Sequence, residues 1–366
     1  MEMIKFIPGS RLYPDIKHTY DQRMSEMFAS DETQEHVWTT AAERALCKHT
    51  GRKYALLCTS GTSAIQLMLM AHNIGRGDEV ICTNYSCPAT VMPICVLGAT
   101  PVFVDIDVHG QPNYEDVEHK ITSRTKAILA TGLYGDTFDY DKIKDLGIPI
   151  LNDSAQSWLG LYKGVDSVLL GDMSILSFSG NKNCPVFGTY GAVLTDCEQL
   201  YKKTLLQRRN GYMHRDLGIE HIGINSQPHE DKAIQVLCSL ERLDAWQKRR
   251  HSIADYYREH LSNLRTSPAH SKTSDHKTVL FVENNVEFRD KMRAQGIDCR
   301  LHYTYNFGAT PQLAPPKGSY PITEWYGKHT VSIPGNQFMT DAEVESVVQA
   351  VKKIVTKEDY KIWPNY

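Results

Sequence analysis

Long apolar runs are missing from this 366-residue chain. No stretch approaches the roughly 18 apolar residues of a membrane span. The opening segment MEMIKFIPGSRLYPD lacks the apolar core of a secretory leader. The sequence therefore reads as a cytoplasmic protein without a membrane partner. An excess of charge is missing too. Lys and Arg number 40 against 43 Asp and Glu, a net charge of −3. That balance excludes the broad basic face of a general nucleic-acid binder. It leaves room for a small phosphorylated ligand, which needs only local donors. Nine cysteines occur, but no Cys-x-x-Cys pair, so no metal site is expected. Several of them lie in apolar runs such as YALLCTS and EVICTNY, and they read as small buried hydrophobes in a reducing compartment. Neither an internal repeat nor a low-complexity tract is present.

What is there alternates. Short apolar runs (KYALLCTS, DEVICTN, TPVFVDID, KAILATGLYG, IPILNDSAQ, SILSFSGNK and GAVLTD) predict buried strands. TTAAERALCKHTG, GTSAIQLMLMAHNIG and PATVMPICVLGA between them predict helices, with Gly51 stopping the first. Strands alternating with helices argue for a large, mainly parallel α/β sheet. Residues 1–35 read as an irregular arm, because Pro8, Gly9 and Pro14 interrupt any regular pattern. Residues 36–250 form the large unit. Residues 251–366 read as a smaller α+β unit, from TVLFVE, NVEFRDKMRAQG, DCRLHYTY and a final helix TDAEVESVVQAVKKIV. A charged helix near 231–261 carries the stripe Ile234, Leu237, Leu240 and Leu243, to be buried by the core or by a second subunit.

Four short segments carry the chemistry. TSGTSA at 59–64 joins a strand to a helix. Gly61 permits a tight turn, and the amides near Thr62 and Ser63 would point out of a helix N-terminus, a site for phosphate. Ser-Gly-Thr, at 60–62, is also a common turn. LNDSAQS at 151–157 puts Asp153 just past a buried strand, where a carboxylate either meets a protonated ring nitrogen or caps a helix. Gln156 follows three residues later. SFSGNK at 177–182 sets Lys182 in a glycine-containing loop after a strand, with Ser177 five residues before it. Lysines there are commonly solvated charges, but one whose pKa is lowered by its site can form an imine with a carbonyl. GIN at 223–225 is the fourth segment.

The order Ser-Gly-Thr, Asp-x-x-Gln, Ser-Phe-x-x-x-Lys resembles the DegT/DnrJ/EryC1/StrS family of PLP-dependent sugar aminotransferases. GDEVICTNYSCPATVMPICVLGATPVFVDID, GLYGDTFDYDKI, GTYGAVLTD, IGINSQPHEDKAIQVLCSLERLDAWQKRR and HTVSIPGNQFMTDAEVESVVQAV extend the likeness from about residue 35 to 353. The resemblance implies fold type I of the PLP-dependent transferases (aspartate aminotransferase-like). Pyridoxal 5′-phosphate would be the cofactor, bound as an internal aldimine at Lys182, with pyridoxamine phosphate as intermediate. Lys182 would also act as general acid and base. Asp153 would hold the pyridinium proton, and Gln156 would contact the phenolic oxygen. Thr62, Ser63 and Ser177 would bind the phosphate. Asn225 would reach it from the partner subunit of a homodimer with shared active sites. An amino-acid donor, glutamate, and a keto-sugar acceptor linked to a nucleoside diphosphate would be the substrates.

Four positions depart from the family pattern. Cys87 stands where an aromatic residue usually stacks on the ring, with Tyr85 two residues away; either of the two packs there. Gln227 replaces an Arg two residues after Asn225. In LHYTYNFGATP, Thr304 stands for a Pro, and Gly308 lies near an expected His. Two other readings remain beside the aminotransferase: a PLP-dependent sugar dehydratase, and a non-catalytic sensor or assembly protein on the same fold.

Overall fold

The computed structural model describes residues 3–30, 36–212, 218–313 and 318–355. Its seven apolar runs become strands β1 (Tyr54–Cys58), β2 (Glu79–Thr83), β3 (Thr100–Val104), β4 (Thr125–Thr131), β5 (Ile150–Asp153), β8 (Met173–Ser177) and β9 (Gly191–Thr195), and two short strands not expected from the sequence, β6 (Leu161–Tyr162) and β7 (Val165–Asp166), lie between β5 and β8 in the chain. All but the two-residue β6 and β7 share one sheet, in the order β1-β9-β8-β5-β4-β2-β3. From β8 through β3 the pairs are parallel, while β9 is antiparallel to both β1 and β8. β1 therefore runs in the same direction as β8, and six of the seven strands finish on one edge. In α/β sheets that edge is where ligands sit.

The helices α1 (Leu12–Ala29), α2 (Val37–Thr50), α3 (Gly61–Ala71), α4 (Pro88–Val96), α5 (Tyr114–His119), α6 (Glu198–Arg208) and α7 (Glu230–His260) surround this sheet. Alternate strand residues face opposite sides. Cys58 and Val193 join Ile65, Leu69 and Ile94 of α3 and α4. Leu57 and Ala192 join Leu46 of α2 and Leu240 and Leu243 of α7. As expected, Gly51 ends α2: it adopts φ 80° and its amide bonds Cys47 O. A smaller unit follows. β10 (Ser271–Lys272) pairs with β6, and β11 (Thr278–Phe281) pairs antiparallel with β12 (Thr330–Ile333). Helices α8 (Asn285–Ala294), α9 (Pro321–His329) and α10 (Asp341–Ile354) belong to this part of the chain, and a separate apolar cluster around Leu280, Phe288, Val331 and Val347 fills it.

One expectation is corrected here, and one left open is decided. The N-terminal segment is not irregular, because α1 is a regular 18-residue helix. Pro14 falls within its first turn, where a backbone N–H has no acceptor inside the helix, so its loss costs little. α1 docks on α7 through Leu12 and Ile16 against Ile234, Cys238 and Trp246. The stripe on α7 is also settled. Ile234, Leu240 and Leu243 are buried within their own chain and Leu237 is partly buried. Fully burying each such side chain is worth about 1.5–3 kcal/mol, so the stripe has its partner without a second subunit. α7 also runs unbroken through residue 250, and its Ile253 and Tyr257 join the smaller cluster. Among the described residues no helix is long and apolar enough to cross a membrane. All nine cysteines are free; Cys58, Cys82, Cys184, Cys238 and Cys299 are buried, whereas Cys197 is exposed and Cys87 half-buried.

Candidate active site

The turn after β1 builds one wall of the site. Ser60 caps α3, its Oγ accepting the amide of Ser63 at 3.0 Å. The hydroxyl of Ser63 is held by Ser60 Oγ (2.9 Å) and Thr59 Oγ1 (3.0 Å). Ser63 is thus occupied in shaping the turn and does not line the cavity. The amides of Gly61 and Thr62 have no partner within the helix, which leaves two donors and the positive end of α3 for an anion. Glycine is needed twice here for close approach. A Cβ on Gly61 would lie 3.0 Å from Ser177 Cβ. A Cβ on Gly191, which pairs with both Cys58 and Ser177, would lie 2.4 Å from Ser60 O. These contacts press the start of α3 against the end of β8.

The strand ends supply the rest. Asp153, the last residue of β5, is 5% exposed. Its Oδ2 accepts the Thr90 hydroxyl at 2.7 Å, and its Oδ1 accepts the Ala155 amide at 3.1 Å. Thr90 in turn shares a 2.9 Å bond with Ser86. Burial pushes the Asp153 carboxyl up, opposed by the Thr90 and Ala155 hydrogen bonds and the charge of Lys182. Lys182 lies in the loop after β8, where its amide bonds Ser179 O at 2.8 Å and its carbonyl accepts Arg250 at 3.2 Å. Only the backbone is fastened, so Nζ is left free. Burial pushes its pKa down, with Asp153 acting in the opposite sense. A lysine so placed has a larger fraction of nucleophilic free amine than a surface lysine.

Thr62, Cys87, Asp153, Gln156, Ser177 and Lys182 all line one cavity of about 290 Å³. Six of the eight residues singled out from the sequence therefore meet, although they span 121 positions of the chain, from Thr62 to Lys182. Asn225 does not line it; it is exposed, with its backbone bridged to Arg209. Cys87 and Tyr85 differ in where they stand relative to the cavity. Cys87 caps α4 and faces the cavity. Tyr85 is fully buried behind it, with its hydroxyl at 2.7 Å from that of Tyr134 and accepting the Tyr303 amide at 2.7 Å.

Several lining residues carried no sequence signal. Thr90 sits within the quoted segment but has nothing to mark it before Asp153 is seen beside it. His302 and Tyr303 come from the smaller unit, and the Tyr303 hydroxyl accepts Gln156 Nε2 at 3.0 Å. Lys277 donates to Gln156 Oε1 at 3.0 Å. The donor set fits pyridoxal phosphate. There is a carboxylate at a strand end for a ring nitrogen, an amine free to form a covalent link, and a cradle of two amides and two hydroxyls that only glycine lets close up.

Known proteins resemble this chain along most of its length. The sequence model of the DegT/DnrJ/EryC1/StrS aminotransferase family matches residues 14–352. The chain is 32% identical over 322 residues to dTDP-3-amino-3,6-dideoxy-alpha-D-galactopyranose transaminase of Aneurinibacillus thermoaerophilus, covering 85% of this chain and 88% of that one. It is 28% identical over 358 residues to UDP-2-acetamido-2-deoxy-3-oxo-D-glucuronate aminotransferase of Pseudomonas aeruginosa, covering 95% and 99%. Among solved structures, S. venezuelae DesV in complex with ketimine intermediate superposes with a TM-score of 0.92 at 27% identity, over 96% of this chain and 98% of that one.

Proposed function

This chain belongs to the DegT/DnrJ/EryC1/StrS aminotransferase family, and from that premise we propose that it transfers the amino group of L-glutamate to a keto-sugar linked to a nucleoside diphosphate. The enzyme is a PLP-dependent sugar aminotransferase. The acceptor reading draws on the sugar nucleotides named for the bacterial relatives. Pyridoxal phosphate, when bound, supplies an electron sink; orientation and electrostatics are left to the protein. Lys182 Nζ holds the cofactor covalently and moves the substrate proton. Asp153 Oδ keeps the proton on the ring nitrogen. Gln156 meets the phenolic oxygen, and Cys87 packs on the ring. The amides of Gly61 and Thr62, with the hydroxyls of Thr62 and Ser177, take the phosphate, while Ser63 supports their turn. The single observation supporting this assignment is that Asp153 and Lys182, coupled in charge, face one cavity beside the open N-terminus of α3. Protein loaded with the cofactor is expected to be yellow, and L-glutamate to bleach it. Colour that persists through saturating L-glutamate, L-glutamine and L-alanine would overturn the reading.

We also propose a cytoplasmic homodimer in which Asn225 reaches the phosphate of the partner's site. Ile219 and Ile222, in the same segment, are 78% and 87% exposed, apolar surface that a second copy would cover. Lys182→Ala and Asn225→Asp subunits, each impaired alone, should complement on mixing. A mixed dimer then holds one site with both lesions and one with neither, and about half of its sites should work. If subunits exchange without any return of activity, the shared-site assignment of Asn225 fails.

A further inference from the structure

Once Lys182, Asp153 and the hydroxyls are given to the cofactor, one charged group lining the cavity is left over. Lys277 precedes β11 and is 8% exposed. Its amide bonds Tyr134 O at 3.1 Å, which fastens the backbone. Its Nζ makes one hydrogen bond, to the neutral Oε1 of Gln156 at 3.0 Å, and lies 5.6 Å from the centroid of the Tyr303 ring. No carboxylate pairs with it among the described residues. Burial, together with the positive charge of Lys182, pushes its pKa well down. A buried amine held this way is expensive, and a methionine would fill the same volume without that cost. A ligand bringing negative charge would offset it.

The proposed reaction brings such charge. Every amino-acid donor carries a carboxylate on the carbon that bears the amino group. That carbon has to come to Lys182, so its carboxylate enters this same cavity. Among the described residues no arginine lines the cavity, and Lys277 is the lysine there other than Lys182. We infer that Lys277 binds a substrate carboxylate, an inference resting on the aminotransferase reading. The carboxylate has two possible sources, the amino donor or an acidic keto-sugar. The donor is favoured because its carboxylate is obligatory.

The two half-reactions separate these sources, and two variants separate charge from shape. Lys277→Met removes both the charge and the hydrogen bond to Gln156. Lys277→Gln keeps a donor for Gln156 but has no charge. In the donor half-reaction, followed by bleaching of the cofactor, both variants are expected to raise the dissociation constant of L-glutamate at least tenfold. The larger share of the loss should fall on that constant rather than on the rate at saturation. Calorimetric titration of the pyridoxamine-loaded protein with UDP-glucuronate and UDP-glucose covers the second source. A wild-type preference for UDP-glucuronate that both variants lose would assign the carboxylate to the sugar. Two results overturn the inference: wild-type behaviour of both variants in both arms, or restoration of L-glutamate affinity by Lys277→Gln, which would reduce Lys277 to positioning Gln156. Wild-type protein that L-glutamate fails to bleach overturns the aminotransferase reading, and this inference with it. The melting temperature of Lys277→Met should equal or exceed that of wild type, since an unpaired buried amine is gone.

Discussion

Lys182→Ala abolishes amino transfer, lowering turnover by at least about 10³-fold, because covalent attachment and positioned proton transfer are lost together. The fold should survive. The loop is held by backbone bonds from Lys182 N to Ser179 O and from Arg250 to Lys182 O, and alanine keeps both. Removing a buried amine from the loop after β8 leaves stability unchanged or slightly higher. The presence of Lys277 in the same cavity sharpens the test, since borohydride reduction of the loaded protein has two lysines to choose from. Lys182 is the expected target because its Nζ is unfastened and electrostatically coupled to Asp153, whereas Nζ of Lys277 is tied to Gln156. Peptide mapping should therefore find the reduced cofactor on the segment SFSGNKN. Label on the peptide containing Lys277 would sink the assignment of Lys182.

Asp153→Asn should bind the cofactor and transfer the amino group far more slowly. A charge-assisted hydrogen bond is worth roughly 1.5–3 kcal/mol, or about 10- to 150-fold in rate if all of it is felt in the transition state. Loss of the proton on the ring nitrogen adds to that. The two neighbours tolerate the change. An asparagine oxygen still accepts the Ala155 amide, and its NH2 can donate to the Thr90 hydroxyl, which can turn its own proton to Ser86. Stability gives a second, independent readout. Burial holds the Asp153 pKa above its unfolded value. The folded state then binds the proton more tightly than the unfolded chain, so the stability this proton gives is present below the unfolded pKa and is lost as pH rises through the folded pKa. The apoprotein of Asp153→Asn, which has no such proton to lose, should melt no lower than wild type at neutral pH. Wild-type turnover in the variant would mean that Asp153 does no more than cap the turn at Ala155.

The strands and the three main segments were legible because their signals are local. An apolar run of four to seven residues stopped by polar residues has few alternatives to a buried strand. TSGTSA sits between such a run and a helical one, so its glycine turn and helix N-terminus could be placed without any distant contact. Asp153 and Lys182 could each be placed at or just past the end of a strand by position alone. The misreading of the N-terminal segment was also local in origin, as was the choice left open at α7. Prolines near a chain start look like breakers until the helix start is known to fall just before Pro14. The stripe on α7 has the right spacing for either a core or a dimer, and nothing in the spacing says which surface covers it.

By itself, the sequence determined the seven strands of the main sheet and the helices between the first of them, the order of the chemistry-bearing segments and the family to which they belong. These follow from hydrophobic periodicity, glycine turns and residue type, all set within a few positions along the chain. Only the tertiary structure decided which side chains share the cavity. The strand order carries Ser177 to the start of α3 and brings Thr90 to Asp153, and the smaller unit adds His302, Tyr303 and Lys277. Cys87 faces the cavity and Tyr85 stands behind it for the same reason: burial is a property of the packed chain. Lys277 shows the limit most plainly. As a residue type it is a solvated charge, and it becomes a buried, unpaired amine only when β11 packs it against Gln156, 121 residues earlier in the chain.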